Sequence, residues 1–214
     1  MAREKREEYS LRTEITRKTV HLLGSLFILA LYQFTDQRIT LIVLTIGLIV
    51  ALELEYFRIE WGHKIPLFHE LFRQKEKMTL GGHVFLAIGA IIAISVFSKE
   101  IAILAILMTA VGDAAAAILG RIYGKNAIPG LEGKKIEGVF AEFAADILAG
   151  FAYLSIFGGH VGAPYWIILA VMAASATVIE TIANKLDDNL LVPIFAGIIG
   201  EMLLFLLPII GITT

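Results

Sequence analysis

The stretch from Gly112 to Gly138 concentrates residue types that handle anions. It reads Gly112-Asp113, four alanines, then Ile-Leu-Gly120-Arg121-Ile-Tyr-Gly124-Lys125, and later Gly130-Leu-Glu-Gly133-Lys134-Lys135-Ile136-Glu137-Gly138. Glycines let a backbone turn tightly and present N–H groups to an anion, while lysines supply charge. Carboxylates accompany them: Glu142 and Asp146 one helical turn apart, Glu180, the acidic step Asp187-Asp188-Asn189, Glu53 with Glu55, and Glu201. Carboxylates beside lysines suit a divalent cation and a polyphosphate, because Mg²⁺ takes one or two carboxylates plus phosphate oxygens. The loop is not a nucleotide-binding P-loop of the usual spacing. Gly120 to Lys125 is one residue too short, and Asn126 follows in place of Ser or Thr.

Packing explains the same letters equally well at this point. Gly120 and Gly124 form a small-xxx-small pair, and Ala114 to Ala117 let helices approach closely. Other chemistries find no support. There is no cysteine for a thiolate metal site, a disulfide or a nucleophile. His21, His63, His69, His83 and His160 show no zinc spacing, and neither a nucleophile elbow nor a dinucleotide fingerprint is present.

The elements that must position these groups are membrane helices. Of 214 residues 57% are hydrophobic and only 18% charged, with a net charge of −2, and the mean hydropathy is +0.79. That composition argues against a disordered chain, a coiled coil or a nucleic-acid-binding domain. A bilayer span needs about 20 mostly apolar residues. Seven such runs fit: 19–34, 39–56, 80–97, 101–118, 136–157, 165–182 and 190–207. The expected fold is an all-α integral membrane protein of about seven transmembrane helices. Residues 1–18 form a charged amino-terminal segment without a signal-peptide pattern, and 19–214 form one polytopic domain. In the second loop Trp61, Ile65, Phe68 and Phe72 make one apolar helical stripe, the pattern of a helix lying along the membrane surface, with Pro66 near its start.

Basic residues set the orientation. Arg3, Lys5, Arg6, Arg12, Arg17 and Lys18 precede the first span. Arg58, Lys64, Arg73, Lys75 and Lys77 fill the second loop; Arg121, Lys125, Lys134 and Lys135 the fourth; Lys185 the sixth. Only Arg38 and Lys99 of the 18 fall on the other side. Positive loops stay in the cytoplasm, so the expected amino terminus is inside and the carboxyl terminus outside. An ionisable group deep in a span costs about 2.5–3.5 kcal/mol on insertion scales. Most of the carboxylates above fall at or just below the cytoplasmic surface, whereas Asp146 and Glu201 read as deeper.

At this loop the chain resembles the CTP-dependent lipid-alcohol kinases: dolichol kinase, phytol kinase and the yeast-type CTP-dependent diacylglycerol kinase. The resemblance is carried by Asp113 with small residues, Gly120-Arg121, Tyr123-Gly124-Lys125, Gly133-Lys134-Lys135 and Glu137-Gly138. It extends to Arg17-Lys18-Thr-Val-His21, Glu53, Arg73 with Glu76, Thr79 and Gly81, Glu180, and Asp187-Asp188-Asn189-Leu-Leu-Val-Pro193, and so covers about 17–195. The loop is also similar to phosphatidate cytidylyltransferase. That family's Ser-Pro-Lys-Lys-Thr is reduced here to Glu132-Gly133-Lys134-Lys135-Ile136, and its later signature is missing, which favours the kinase branch. A CDP-alcohol phosphotransferase would need Gly after its Asp, where Asp113 is followed by Ala114.

The resemblance implies transfer of the γ-phosphoryl of CTP to a polyprenol-type isoprenoid alcohol at the cytoplasmic face, with Mg²⁺ as cofactor and the bilayer as partner. It implies nucleotide contacts from Gly120, Gly124, Lys125, Gly133, Lys134, Lys135, Gly138 and Asn189. Lys134 is also the cation at the reaction centre, Asp113 with Asp187 or Asp188 carries the metal, and Asp113 or Glu137 accepts the alcohol proton. Two alternatives stand beside it: cytidylyl transfer, and a small transporter using Asp113, Asp146 and Glu201 as a proton or cation path. Small-residue faces pair helices between chains as readily as within one, so oligomerisation stays open.

Overall fold

The computed structural model describes residues 2–61, 80–131, 133–158, 162–183 and 186–211. Seven helices follow one another: α1 (Ala2–Phe34), α2 (Gln37–Trp61), α3 (Gly82–Val96), α4 (Lys99–Tyr123), α5 (Ile136–Phe157), α6 (Ala163–Ile182) and α7 (Asp188–Ile209). Six of them contain one of the apolar runs whole, α3 falls just inside its run 80–97, and α5 coincides with its run end to end. Five (α2, α4, α5, α6 and α7) are long and apolar enough to cross a membrane. The fifteen residues of α3 reach about 22 Å, short of a roughly 30 Å hydrocarbon core.

Two boundaries differ from the sequence expectation. The charged amino-terminal segment is no separate element, because α1 runs unbroken from Ala2. No Pro or Gly interrupts it before Gly24, and Arg, Glu, Lys and Leu are good helix formers. Helix α4 continues past Ile118 to Tyr123, so Asp113 lies ten residues, about 15 Å, from the helix end rather than five. The surface helix expected after Trp61 falls in 62–79, outside the described residues, as do Arg73, Glu76, Thr79, Glu132, His160 and Lys185.

Helix α4 is the axis of the bundle and packs against α1, α3, α5, α6 and α7. Ile101, Ala102, Leu104, Ala105 and Ala110 are wholly buried. Around it Ile94, Leu154, Ile168, Met172 and Val192 complete the core. The outer face of α2 is the reverse: Ile42, Ile46, Ile49 and Val50 are all more than half exposed. An apolar face of that extent on a helix of spanning length is what lipid tails cover. At the end of the bundle away from the glycine–lysine loop, Ser98 N and Oγ both donate to Glu201, each at 2.9 Å. Ser98 is the residue preceding α4, so Glu201 places its charge at the positive end of that helix. Glu201 therefore caps α4 about 22 Å along that helix from Asp113.

Candidate active site

The site forms where α4 and α5 cross. A Cβ added to Gly120 would lie 3.1 Å from the Cα of Gly138, and one on Gly138 would lie 3.0 Å from the carbonyl oxygen of Ala116. The backbones touch there, and any side chain would force them apart. Packing thus accounts for Gly120, with Gly138 as its partner across the crossing. Gly124 serves differently, since a Cβ there would strike the stem of Lys135. The two readings of these glycines are not rivals: the close crossing carries the loop lysines inward.

The chain between α4 and α5 is a short folded arm. Ala127 pairs antiparallel with Lys135, Ile128 N donates to Lys134 O at 3.2 Å, and Ile136 N donates to Asn126 O at 2.9 Å. Its turn uses Gly130 and Gly133 at φ of 81° and 80°, in the left-handed region that glycine enters without steric cost. Lys134 and Lys135, on the returning leg of the arm, line a cavity of about 560 Å³.

That cavity collects most of the residues singled out in the sequence. Asp113, Gly120, Gly124, Gly133, Lys134, Lys135, Gly138, Asp187 and Asp188 line it, joined by Lys18, Arg121, Glu142 and Glu180. Five carboxylates and four cationic side chains face one volume. Adding one divalent cation tips that balance to positive, which an incoming polyphosphate would offset.

Three acids converge. Ligand atoms of Asp113, Glu180 and Asp188 lie within 4.8 Å of one another. Lys18 Nζ pairs with Asp113 Oδ1, and Lys134 Nζ reaches Glu180 Oε1 at 3.3 Å. Burial pulls the Lys134 ammonium down, yet Glu180 and Asp188 outweigh it and hold its pKa above the ordinary lysine value. All-oxygen donors with room for phosphate oxygens fit Mg²⁺ by the chemistry of the set.

The three converging acids keep Asp113 and Asp188 of the expected set, with Glu180 where Asp187 was expected. Asp187 lines the cavity but spends an oxygen on capping α7: its Oδ1 accepts from Asn189 N at 3.1 Å and Asn189 Nδ2 at 2.6 Å. Burial and the neighbouring Asp188 raise the Asp187 carboxyl to about 6. A side-chain oxygen at this position satisfies a backbone N–H that the first turn leaves open. Glu180 takes the third place. Three more expectations change. Asn189 is buried behind this cap and does not line the cavity. Lys125 is exposed and points outside it. Glu137 accepts from Asn126 N at 3.1 Å and Asn126 Nδ2 at 2.8 Å, which braces the base of the arm and takes its carboxylate away from the cavity.

Lys18, Glu180 and Glu142 enter the site instead. Lys18 and Glu180 had a signal, since both fall in motifs of the family resemblance, and Glu142 had only its position inside an apolar helix. His21 lies within the electrostatic reach of Asp113 and Asp188. Asp146, one turn beyond Glu142, is completely buried against Gly112. Neither of its oxygens has a hydrogen-bond partner among the described residues. Glu55, rather than Glu53, is the buried acid ending α2, and it accepts from Gly81 N at 3.2 Å and from Arg58 at 2.6 Å.

Three proteins named CTP-dependent diacylglycerol kinase 1 are similar to this chain. The one from Eremothecium gossypii is 29% identical over 151 residues, covering 66% of this chain and 46% of the relative. The Schizosaccharomyces pombe protein is 27% identical over 203 residues, covering 89% and 93%. The Saccharomyces cerevisiae protein is 26% identical over 161 residues, covering 70% and 53%. The chain thus spans about half the length of two relatives and nearly all of the third. No protein-family model and no solved structure matches it. The resemblance to CTP-dependent lipid kinases, first carried by the glycine–lysine loop and the acidic step, is shown by these relatives.

Proposed function

We propose that this chain, a relative of CTP-dependent lipid kinases, transfers the γ-phosphoryl group of CTP to the hydroxyl of a membrane-embedded lipid alcohol. The observation that carries the reading is the single cavity in which Lys134 and Lys135 face Asp113, Glu180 and Asp188 at one end of an apolar bundle. Phosphoryl transfer asks a protein for charge neutralisation and in-line positioning more than for covalent help.

In this reading Lys134, Lys135 and Lys18 bind the triphosphate oxygens, with Gly120, Gly124, Gly133 and Gly138 forming part of the cavity wall. Asp113, Glu180 and Asp188 hold Mg²⁺, which when bound neutralises charge on the transferring phosphates. Glu137 keeps the arm closed and takes no proton. The lipid tail stays in the bilayer beside the helices while its hydroxyl rises to the cavity. The face that carries the cavity is the one with sixteen of the eighteen basic residues, which supports a reaction at the cytoplasmic surface of the membrane.

The names of the three relatives make diacylglycerol the first alcohol to test, ahead of the polyprenols that the resemblance suggested. The test is one assay with two labels. Purified protein, Mg²⁺ and a panel of diacylglycerol, polyprenol, phytol, geranylgeraniol and phosphatidate receive CTP labelled at the α or the γ phosphorus. Label from the γ position in a lipid monophosphate is the expected result and names the alcohol. Label from the α position would mean cytidylyl transfer, and no label in any lipid from folded protein would remove the kinase reading.

A further inference from the structure

Two of the three carboxylates proposed to hold the metal already have a cationic partner, and each partner comes from a different part of the chain. Lys18, on α1, is 4% exposed and paired with Asp113, itself 7% exposed. Lys134, on the folded arm, pairs at 3.3 Å with Glu180, which is 3% exposed. A divalent cation and these two ammonium groups therefore compete for the same carboxylates. The same ammonium groups are the cations placed to meet phosphate oxygens in the cavity that both line.

Charge bookkeeping decides what such a site accepts. A bare divalent cation must push both lysines off their partners and leave two ammonium groups uncompensated, Lys18 buried and Lys134 partly exposed. A metal-free polyphosphate must draw the lysines away and leave buried carboxylates uncompensated. Either outcome strands charge in a poorly solvated place, which is strongly unfavourable. The metal–polyphosphate complex avoids both penalties, because the metal replaces the lysines on the carboxylates while the phosphates receive the lysines.

Resting on the reading of the cavity as a metal–nucleotide site, we infer that Lys18 and Lys134 are exchangeable counter-ions that determine specificity: they make the site take a divalent cation and a polyphosphate together and exclude each alone. The coupling is reciprocal, and couplings between two ligands commonly amount to about 5–150-fold in affinity.

The test needs no turnover. The full chain in detergent is melted with Mn²⁺ alone, with the hydrolysis-resistant β,γ-imido analogue of CTP in EDTA, and with the two together. Because stabilisation follows RT ln(1 + [L]/Kd), the expected result is a clear rise in melting temperature with the complex and little with either component. Equal stabilisation by Mn²⁺ alone or by the metal-free analogue overturns the inference, as does no stabilisation by the complex. A second measurement is Mn²⁺ binding by electron paramagnetic resonance without nucleotide, in Lys18→Met and Lys134→Met. Removing a competing ammonium should tighten bare Mn²⁺ by about 5–150-fold, and unchanged Mn²⁺ affinity in folded variants refutes the role. Should Lys18→Met fail to fold, the wild-type melting matrix still decides. Failure of the kinase reading looks different: the complex stabilises the protein, but γ-label never reaches lipid.

Discussion

Replacing Glu180 by Gln removes one of three carboxylates whose ligand atoms lie within 4.8 Å of one another, and with it the partner of Lys134 at 3.3 Å. Each bond to a charged group contributes about 1.5–3 kcal/mol after solvation is counted, and every 1.4 kcal/mol is about tenfold. Glu180→Gln should therefore raise the Mg²⁺ concentration for half-maximal CTP turnover by roughly 10–150-fold. The ammonium of Lys134, left beside the cation, acts in the same direction. Asp187→Asn is the matched control, one charge removed a few residues away. Asp187 caps α7 through Asn189, and Asn ranks with Asp as an N-cap. That variant should shift the Mg²⁺ requirement by less than about twofold, the effect of a few tenths of a kcal/mol. The assay is initial rate against free Mg²⁺ at fixed CTP, on variants with wild-type elution and helical content. Equal shifts in the two variants, or a larger one in Asp187→Asn, would put Asp187 on the metal and refute the assignment of Glu180.

Three further outcomes follow from the contacts described. Glu137→Gln keeps an acceptor for Asn126, so turnover should change by no more than the roughly 1 kcal/mol of one neutral hydrogen bond; a drop of about 10²–10⁴-fold, the worth of a general base, would show that Glu137 takes the alcohol proton after all. Gly138→Ala drives a methyl to 3.0 Å from the Ala116 carbonyl oxygen, an overpacking penalty of about 1–3 kcal/mol, and an unchanged melting temperature in detergent would contradict the close α4–α5 crossing. Glu201→Ala removes both acceptor contacts of Ser98 and should cost about 0.5–2 kcal/mol of stability while leaving lipid phosphorylation intact below the melting transition. Lost activity at unchanged stability would restore Glu201 to a functional path.

In the proposed reading the Lys18–Asp113 pair serves stability and function with the same groups. A buried ion pair is weak evidence for stability by itself, because desolvation offsets most of its attraction. Its persistence on α1 and α4 makes better sense as preparation: the two charges are already dehydrated and fixed where a metal and a phosphate would replace their partners. The completely buried Asp146 against Gly112 has no such partner among the described residues, and no role follows for it from these contacts.

The amino-acid sequence by itself determined the seven helices, because an apolar run of spanning length is a local property that any backbone must satisfy by closing its own hydrogen bonds. It determined as well that charge gathers at one end, and it singled out Asp113, Lys134, Lys135 and Asp188, which line one cavity. Tertiary structure alone decided which neighbours those groups meet. Whether Asp187 or Glu180 joins the acidic trio depends on the α6–α7 turn and on how α6 is rotated, and residue spacing carries neither. Glu137 and Lys125 lie beside the decisive lysines in sequence, yet the folded arm sends one to Asn126 and the other outward. Glu201 reads as a buried membrane acid until Ser98, 103 positions away, is found donating to it. Hydropathy is summed along a chain, but pairing is set by helix rotation and crossing, and here the crossing is set by two glycines on different helices, Gly120 and Gly138.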